Sequence, residues 1–462
     1  MSDIVLAAIN AKWIHPSLAL RLLKANLGDL ETSCEIIELN LRQPLREKLD
    51  FLLAANPKIL GLSVSIWNHQ AAIELLAALE KEWADTGRAK PVIVLGGPEV
   101  SYLSEDDKIF QYADYIIRGE GEISFRLLCE DLLSRRSREK FNSEKFINRK
   151  FIKGEENPAL IKSAYHLYTD EDTAKKLIYV ESGRGCPFKC DFCLSSLNEK
   201  IYEFPLEPFL AEMDKLIQRG VKTFKFLDRS FNVNIKRALK IMEFFLSRLE
   251  MTFFTVHFEM VPSIFPDELM ETLALFPSGT LRLEIGLQTL NSEVSARINR
   301  PSNPDKELET LRLLMEKTNA IIHADLIAGL PGESLESFGK GFDLLRLALK
   351  GGRERAEIQL GILKKLPGSP ISRHDKTFGM RYNPLPPYEI EENVSISATD
   401  LLRLKNFSRF WVQIIDRGLL IPQKPHIFEK FLSFSDELYA HFGKNWGIDR
   451  AELLQRTKNV IL

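Results

Sequence analysis

Short apolar segments alternate with helical segments in two long blocks of this chain, and this alternation constrains the fold more than any other feature. In the first block, residues 1–135, the helical segments have the periodicity seen in Ala71–Trp83. The apolar segments are Ile4–Ile9, Glu35–Leu39, Ile59–Val64, Val92–Leu95 and Tyr115–Ile117. Such alternation predicts an α/β domain whose parallel sheet is covered by helices on both faces.

The second block, residues 176–371, repeats the alternation and predicts a partial (β/α)6 barrel. Its expected strands are Leu177–Val180, Thr223–Leu227, Phe253–Val256, Leu281–Ile285, Ile321–Ile327 and Ala356–Leu360. Residues 136–175 lack clear periodicity, which predicts a linker on the surface. The basic run Ser134–Lys140 fits a solvated linker better than a nucleic-acid patch, because few aromatic residues accompany it. Residues 372–462 predict an α-helical cap without strands.

Composition narrows the class of protein further. The chain has 462 residues and a formal net charge of −2, so it can form several domains and has no global attraction to nucleic acid. No apolar run is long enough to span a membrane, and the start Met1-Ser-Asp is unlike a secretory signal. We therefore expect no membrane partner, and nucleic acid is a poor candidate. An odd number of cysteines with three of them clustered predicts a reducing compartment, the cytoplasm.

Three cysteines lie close together in the segment Glu181–Cys193. Cys186, Cys190 and Cys193 have the spacing C-x3-C-x2-C, with glycines just before them that permit a tight loop. Three thiolates on one loop fit an iron–sulfur cluster of the 4Fe–4S type, in which one iron stays open to another ligand. A structural zinc site is the alternative, but zinc usually takes four ligands and the loop offers only three. Cys34 and Cys129 are predicted to be core residues.

Polar and glycine-rich residues follow most strands of the first block. Ligands of parallel sheets bind at the carboxyl ends of the strands, so these residues predict a site for a ligand with phosphate or amide groups. They are Asn10, Ser63–Asn68, Gly96–Glu99 and Arg118–Glu122. Gly97 and Gly119 could instead serve only to make tight turns.

The motifs together resemble those of the cobalamin-dependent radical S-adenosylmethionine (SAM) enzymes over about residues 1–370. The cysteine spacing matches, and Phe192 is the usual aromatic residue before the third cysteine. The barrel strands are also similar to those of the oxygen-independent coproporphyrinogen oxidases in His257–Glu259, Glu284–Thr289 and Ala324–Glu333. This resemblance implies a 4Fe–4S cluster, SAM and cobalamin as cofactors. The residues it implies for SAM are Asp228, Glu259, Gln288, Arg300 and Asp325. Asp228 stands where the family often has Gly-Gly-Glu.

For the first block the resemblance implies a flavodoxin-like (Rossmann-type) cobalamin-binding domain. The motif Asp-x-His-x-x-Gly, whose histidine binds cobalt in some cobalamin domains, is absent. His15 is therefore expected to fix its loop rather than to ligate cobalt. Trp67 either covers the lower face of cobalt or packs in the core, and both possibilities stay open here. The implied cobalamin-binding residues are Asn10, His15, Ser63, Ser65, Trp67, Asn68, Gly96, Gly97, Pro98, Glu99, Gly119 and Glu120.

The resemblance implies an enzyme, and methyl transfer is the activity it favours. A methyl group would move from methylcobalamin to a substrate carbon that the 5′-deoxyadenosyl radical has activated. Its partners would be a small, natural-product-like substrate and an electron donor such as flavodoxin or ferredoxin. One alternative is a rearrangement or cyclisation that uses the same cofactors without methylation. Another is a binding protein that senses cobalamin or redox state, and a third is that the first domain binds another ligand or none.

Overall fold

The computed structural model describes residues 2–136, 150–154, 157–197, 200–300, 302–349, 355–420, 422, 424–458 and 460. The chain divides into two compact units. We call Met1–Ser182 with Tyr202–Lys225 the N-terminal unit, and Gly183–Ile201 with Phe226–Leu462 the C-terminal unit. Residues 202–225, which fall inside the predicted barrel segment, group with the N-terminal unit.

The first sheet has six strands in the order β2-β1-β3-β4-β5-β6, and the pairs between them are parallel. Residues of β1 alternate between two hydrophobic cores. Val5 and Ala7 pack on one face of the sheet, and Leu6 and Ala8 pack on the other. The predicted parallel sheet with two covered faces is confirmed.

The strands and helices of this domain are β1 (Ile4–Asn10), α1 (Leu18–Ala25), β2 (Cys34–Asn40), α2 (Leu45–Ala55), β3 (Ile59–Ser63), α3 (His69–Thr86), β4 (Val92–Gly96), β5 (Tyr115–Arg118), α4 (Glu122–Arg136) and β6 (Phe151–Lys153).

The prediction that residues 136–175 form a surface linker is wrong for residues 151–153 and 164–175, whereas residues 157–163 are exposed or half-buried. Strand β6 lies in this segment and pairs with β5, with Ile152 beside Ile117. The aromatic ring of Tyr168 is 1% exposed, and its hydroxyl donates to the carbonyl of Tyr179 at 2.8 Å. A strand of three residues is too short to show periodicity in the sequence. Residues 137–149, which include much of the basic run, and residues 155–156 lie outside the described residues.

The second sheet also has six strands, in the order β14-β13-β12-β11-β10-β7. The strand pairs from β11 to β14 are parallel. The elements of this part of the chain are α5 (Asp170–Lys175), β7 (Ile178–Val180), β8 (Gly183–Arg184), β9 (Tyr202–Glu203), α6 (Leu206–Gln218), β10 (Thr223–Phe226), α7 (Ile235–Leu249), β11 (Thr255–Met260), α8 (Asp267–Ala274), β12 (Leu281–Gln288), α9 (Ser292–Arg297), α10 (Pro304–Lys317), β13 (Ile321–Ala328), α11 (Leu335–Ala348) and β14 (Ala356–Ile362).

Strand β11 shows how this sheet separates its two faces. Val256 and Phe258 are fully buried, whereas His257 and Glu259 between them are half-buried. The side chains of β12 alternate in the same way, so one face is apolar and the other carries polar groups. We call the second one the polar face. Strand β11 begins at Thr255, two residues later than the sequence predicts, and its pairing with β12 begins at Val256.

The C-terminal segment is mainly helical, as predicted. Its helices are α12 (Asp375–Phe378), α13 (Ala398–Trp411), α14 (Phe428–Phe442) and α15 (Arg450–Thr457). Helix α13 packs on α14 through aromatic side chains, including Phe407 and Phe431 with ring centroids 4.9 Å apart. The expectation of no strands is wrong, because β15 (Arg381–Tyr382) and β16 (Ile390–Glu392) form an antiparallel pair. Within the ranges given above, no helix is both long and apolar enough to cross a membrane.

Candidate cofactor-binding sites

The three clustered cysteines lie on one loop of the C-terminal unit, directly after β8. Cys190 is buried, and Cys186 and Cys193 are half-buried; none of the three forms a disulfide. Gly185 before the loop has a φ of 92°, a conformation that favours glycine. The described residues contain no group of three or more His, Cys, Asp or Glu arranged to hold one metal ion. A cluster does not need such a group, since each thiolate would bind a different iron.

The buried carboxylate of Asp191 anchors the cysteine loop to other parts of the C-terminal unit. Asp191 is 1% exposed, accepts a hydrogen bond from His374 at 2.8 Å and forms an ion pair with Arg373 at 2.6 Å. The backbone N–H of Asp191 also donates to the carbonyl of Ile298 at 3.0 Å. These contacts hold the middle of the cysteine loop against two distant parts of the unit. Sequence reasoning missed the pair of Asp191 and His374, because 183 residues separate them.

Arg300 joins the cysteine loop to strand β12. One of its guanidinium nitrogens lies 3.9 Å from the sulfur of Cys190, and another donates to the carbonyl of Gly286. Burial raises the pKa of the Cys190 thiol, and the positive charge of Arg300 acts in the opposite direction. Arg300 therefore places a positive charge next to the loop.

The other residues implied for SAM lie on the polar face or at strand ends. One guanidinium nitrogen of Arg229 donates to both carboxylate oxygens of Glu259 on β11, at 3.1 and 3.2 Å. Asp325 on β13 is half-buried and lies in register with Gly286 on β12. Asp228, in the loop after β10, is half-buried.

Gln288 ends β12 in an unusual backbone conformation. Its φ is 71°, and the pairing of β12 with β13 shifts between Gly286 and Gln288. A Cβ at Gly286 would collide with the amide nitrogen of Gln288, so the amide lies over Gly286 on the polar face. Left-handed backbone at a residue other than glycine is uncommon and often occurs at functional sites.

Deeper on the polar face, two histidines each pair with a carboxylate. His257 lies 3.3 Å from Glu284, and His323 lies 3.0 Å from Glu357. The two imidazole rings stack with centroids 5.7 Å apart. The side chain of Gln359 is 3.2 Å from His323. The sequence signal for His323 was its position two residues before Asp325, which puts both on the same face of the strand.

In the N-terminal unit, Asn68 ties together the carboxyl ends of two neighbouring strands. Its amide donates to the carbonyls of Ile9 at 3.0 Å and Ser63 at 3.2 Å, and its oxygen accepts from the N–H of Ser65 at 2.8 Å. Asn68 and Ser65 are buried, so their contacts are to the protein. Asn10, at the end of β1, donates to Glu38 at 3.0 Å.

Trp67 lies at the same edge of the sheet and is 52% exposed. Its indole N–H donates to the carbonyl of Ile9 at 3.3 Å, which holds the ring at the end of β1. The core-packing alternative for Trp67 is therefore wrong. Trp13 and Tyr102, which follow β1 and β4, are also exposed, at 47% and 42%. Exposed aromatic rings at the carboxyl edge of a parallel sheet are typical of a ligand site.

Two glycine turns lie at this edge. The turn at Gly97 is tightly packed against neighbouring backbone, whereas the turn at Gly119 is open. Gly97 has a φ of 105°, and a Cβ there would lie 2.5 Å from the carbonyl oxygen of Val64. Gly119 has a φ of 88° and open space where a Cβ would be. The hydroxyl of Ser101 links the turns by donating to Gly97 at 2.9 Å and accepting from Gly119 at 3.0 Å.

The remaining residues implied for cobalamin differ in exposure. Pro98 is exposed, and Gly96 and Glu120 are half-buried. Glu99 is buried and lies 3.2 Å from the ring of His69, whose other nitrogen lies 3.2 Å from Asp107. The two carboxylates raise the pKa of His69 although burial lowers it. Glu99, His69 and Asp107 thus form a polar cluster that supports the turn after β4.

His15 makes the loop contact that the sequence predicts. Its Nδ1 lies 2.8 Å from the hydroxyl of Tyr179, within the N-terminal unit. Burial lowers the pKa of His15, and the charges of Lys12 and Lys225 act in the same direction. The imidazole is therefore held neutral and engaged by a tyrosine.

Comparison with known proteins identifies two domains. The profile of the Radical SAM superfamily matches residues 180–345, and that of the B12 binding domain matches residues 4–128. The ribosomal protein uS12 methylthiotransferase RimO of Parasynechococcus marenigrum is 24% identical over 188 residues, which cover 39% of this chain and 40% of RimO. A protein described as an uncharacterized methyltransferase of Pyrococcus horikoshii is 30% identical over 163 residues, which cover 32% of this chain and 36% of that protein. The chain thus spans well under two thirds of the length of these relatives.

Two solved structures share the fold over most of the chain. The radical S-adenosylmethionine methyltransferase TsrM from Kitasatospora setae, with cobalamin and a 4Fe–4S cluster bound, has a TM-score of 0.59 at 17% identity and covers 84% of this chain and 78% of its own. The second is the cobalamin-dependent S-adenosylmethionine radical enzyme OxsB, with aqua-cobalamin and S-adenosylmethionine bound. It has a TM-score of 0.65 at 14% identity, and the match covers 98% of this chain and 78% of the OxsB chain.

The chain therefore combines a B12-binding domain with a radical SAM domain and a helical C-terminal segment. A radical SAM domain implies a 4Fe–4S cluster and SAM as cofactors, and a B12-binding domain implies cobalamin. The residues present fit these cofactors in kind, since free thiols occupy the cysteine loop and an exposed indole lies at the edge of the first sheet.

Proposed function

We propose that this protein is a cobalamin-dependent radical SAM methyltransferase that methylates a carbon atom of a small molecule. The observation that carries the proposal is the presence of both candidate sites in one chain. One is the three-thiol loop with Arg300 beside it, and the other is the sheet edge with exposed Trp67 in the B12-binding domain. When bound, the cluster and SAM supply a hydrogen-abstracting radical, and cobalamin supplies a transferable methyl group.

In this proposal, Cys186, Cys190 and Cys193 hold the cluster. Asp191 and His374 position the loop, because their buried hydrogen bond fixes its middle residue. The charge of Arg300 pairs with the carboxylate of SAM, an interaction that a guanidinium makes well. The carboxylates of Glu259 and Asp228 accept from its amino group, and Gln288 and Asp325 bind the ribose hydroxyls.

We expect the variant Arg300→Ala to weaken SAM binding by about 1.5–3 kcal/mol, because it removes a charged hydrogen bond. Isothermal titration of the cluster-containing protein with SAM measures this change. Arg312→Ala, at an exposed arginine of α10, is the control and is expected to have no effect. Iron is counted in each variant, because Arg300 also lies against Cys190. Unchanged SAM affinity at full iron content would contradict the assignment.

Cobalamin is proposed to bind at the carboxyl edge of the first sheet. The residues implied for it divide into two kinds. Trp67, Pro98 and Gly119 are accessible and can touch the cofactor, whereas Ser65, Asn68 and Glu99 are buried and shape the rim. Asn10, His15, Ser63, Gly96, Gly97 and Glu120 complete the edge.

We expect bound cob(II)alamin to lack a protein nitrogen ligand. His15 is engaged by Tyr179, and Trp67 can exclude water from the lower face of cobalt but cannot readily ligate it. Electron paramagnetic resonance spectra of wild type and His15→Ala are predicted to match in the cobalt signal. Trp67→Ala is predicted to weaken cobalamin binding about tenfold, through lost aromatic contact. Nitrogen splitting that disappears in His15→Ala would overturn the prediction.

The proposal also includes an electron donor, such as flavodoxin or ferredoxin, and a cytoplasmic location. Both follow from the chemistry of a reducible cluster with free thiols. The substrate is proposed to be a small molecule of the natural-product kind.

Anaerobic incubation with SAM, cobalamin and a reductant tests the proposed function. A methyltransferase of this kind forms both 5′-deoxyadenosine and S-adenosylhomocysteine, because it uses SAM in two ways. Formation of 5′-deoxyadenosine alone would favour a rearrangement or cyclisation. Formation of neither product by protein with full iron and cobalamin content would favour a sensing role.

A further inference from the structure

A cavity of about 520 Å³ lies wholly within the C-terminal unit. It is bordered by the cysteine loop, the last strands of the second sheet and helix α13. Its lining includes Phe192 from the loop and Ile327 from β13. The other walls come from β14 and from the cap segment. A cavity of this size accommodates a small organic molecule.

The charges that line the cavity are mostly positive. Lys364, Lys405 and Arg409 contribute cationic side chains, and Glu389 contributes the carboxylate. Lys405 is neutralised by Glu389, with nitrogen and oxygen 2.5 Å apart. Lys364 and Arg409 make no ion pair with any residue that the structure describes. Two cationic groups therefore line the cavity without a protein counter-charge.

An apolar surface accompanies these cations. The guanidinium of Arg409 lies 5.5 Å from the ring centroid of Trp446, and that ring is 52% exposed. Val412 also lines the cavity and is 39% exposed. A ligand with a flat apolar body could stack on this wall while its anionic group meets the cations.

The cavity reaches the part of the unit where the chemistry is proposed. Phe192 directly precedes Cys193 in the loop. Gln359 lines the cavity and is also 3.2 Å from His323 on the polar face. A molecule in the cavity would therefore lie alongside both the cysteine loop and the polar face.

We propose that this cavity binds the substrate, and that the substrate is a carboxylate-bearing molecule with an aromatic or similarly flat apolar body. Lys364 and Arg409 bind the carboxylate, and Trp446 contacts the apolar body. The inference rests on the proposed function, because it names the substrate class of the same enzyme.

A pair of probes that differ in charge but hardly in shape tests this inference. Anaerobic holoenzyme with SAM and cobalamin is titrated calorimetrically with 2-naphthoate and, separately, with the neutral 2-naphthamide. We expect the carboxylate to bind at least about tenfold more tightly than the amide, as a charged hydrogen bond predicts. Lys364→Met and Arg409→Met should each weaken naphthoate about tenfold and change the amide less than about twofold.

Lys430→Met and Arg450→Met are the matched controls, because both residues are exposed and neither lines the cavity. They are expected to leave both affinities unchanged, and iron content checks the integrity of every variant. The inference is overturned if neither probe binds, if the two bind equally, or if the variants retain the preference. SAM cleavage by the wild type is measured separately. Its failure alongside selective naphthoate binding would refute the radical function and leave the anion site standing.

Discussion

Replacing any one of Cys186, Cys190 or Cys193 by alanine is expected to abolish the iron–sulfur cluster. A cluster bound through three thiolates leaves only one iron for another ligand, so the loss of one thiolate opens a second iron. The described residues around the loop offer no arranged group of His, Cys, Asp or Glu as a substitute. We expect about four irons per chain in the wild type and close to none in the three variants. Iron and sulfide analysis after anaerobic reconstitution measures this.

The two remaining cysteines provide the control. Cys34 and Cys129 are 3% and 0% exposed in the N-terminal unit, and burial raises the pKa of Cys34 to about 12. Such thiols stay protonated and are poor metal ligands. Cys34→Ala and Cys129→Ala should therefore retain the cluster. A loss confined to Cys129→Ala, with the fold intact by circular dichroism, would contradict the assignment.

Arg21→Met is expected to destabilise the N-terminal unit by about 3 kcal/mol, because removal of one partner leaves buried charges unpaired. Arg21 is 3% exposed and joins Glu38 on β2, at 2.9 Å, to Asp172 on α5, at 2.7 Å. Glu38 also receives the amide of Asn10 at 3.0 Å, so this ion-pair network supports the edge proposed for cobalamin. In the variant, Asp172 keeps its second partner, Lys176 at 2.8 Å, and this ion pair limits the loss of stability.

Urea-induced unfolding followed by circular dichroism measures the change, with Arg46→Met as the matched control. Arg46 also pairs with two carboxylates, at 2.9 and 2.6 Å, but it is 64% exposed. Exposed ion pairs contribute little to stability, so Arg46→Met should lower the free energy of unfolding by no more than about 1 kcal/mol. An equal loss of unfolding free energy in the two variants would show that burial of the Arg21 network adds no stability.

The sequence predicts most strands of both sheets, because short apolar runs mark them. The five strands expected in residues 1–135 are present, and each matches its predicted bounds within about two residues. The sequence predicts β7, which has three residues, but not the equally short β6, β15 and β16. Strands β6, β15 and β16 form because neighbouring backbone is available for pairing, and the local sequence gives no sign of that backbone.

The candidate sites divide in a similar way. The cysteine loop is local in sequence, so its spacing alone predicts its chemistry. The contacts that position it are not local: His374 reaches Asp191 across 183 residues, and Arg300 reaches Cys190 across 110. The exposure of Trp67 was also undecided from sequence, because an indole after a buried strand fits the core and a ligand site equally well. The cations of the cavity come from separate elements and carry no motif.

The central claim is that this single chain binds both an iron–sulfur cluster and cobalamin in support of one reaction. Anaerobic protein, reconstituted with iron, sulfide and cobalamin and freed of excess, tests it by metal analysis and electron paramagnetic resonance of the same sample. We predict about four irons and one cobalt per chain, with a reduced-cluster signal that changes when SAM is added. Cobalt absent at full iron content, or a cluster signal unaffected by SAM, would contradict it.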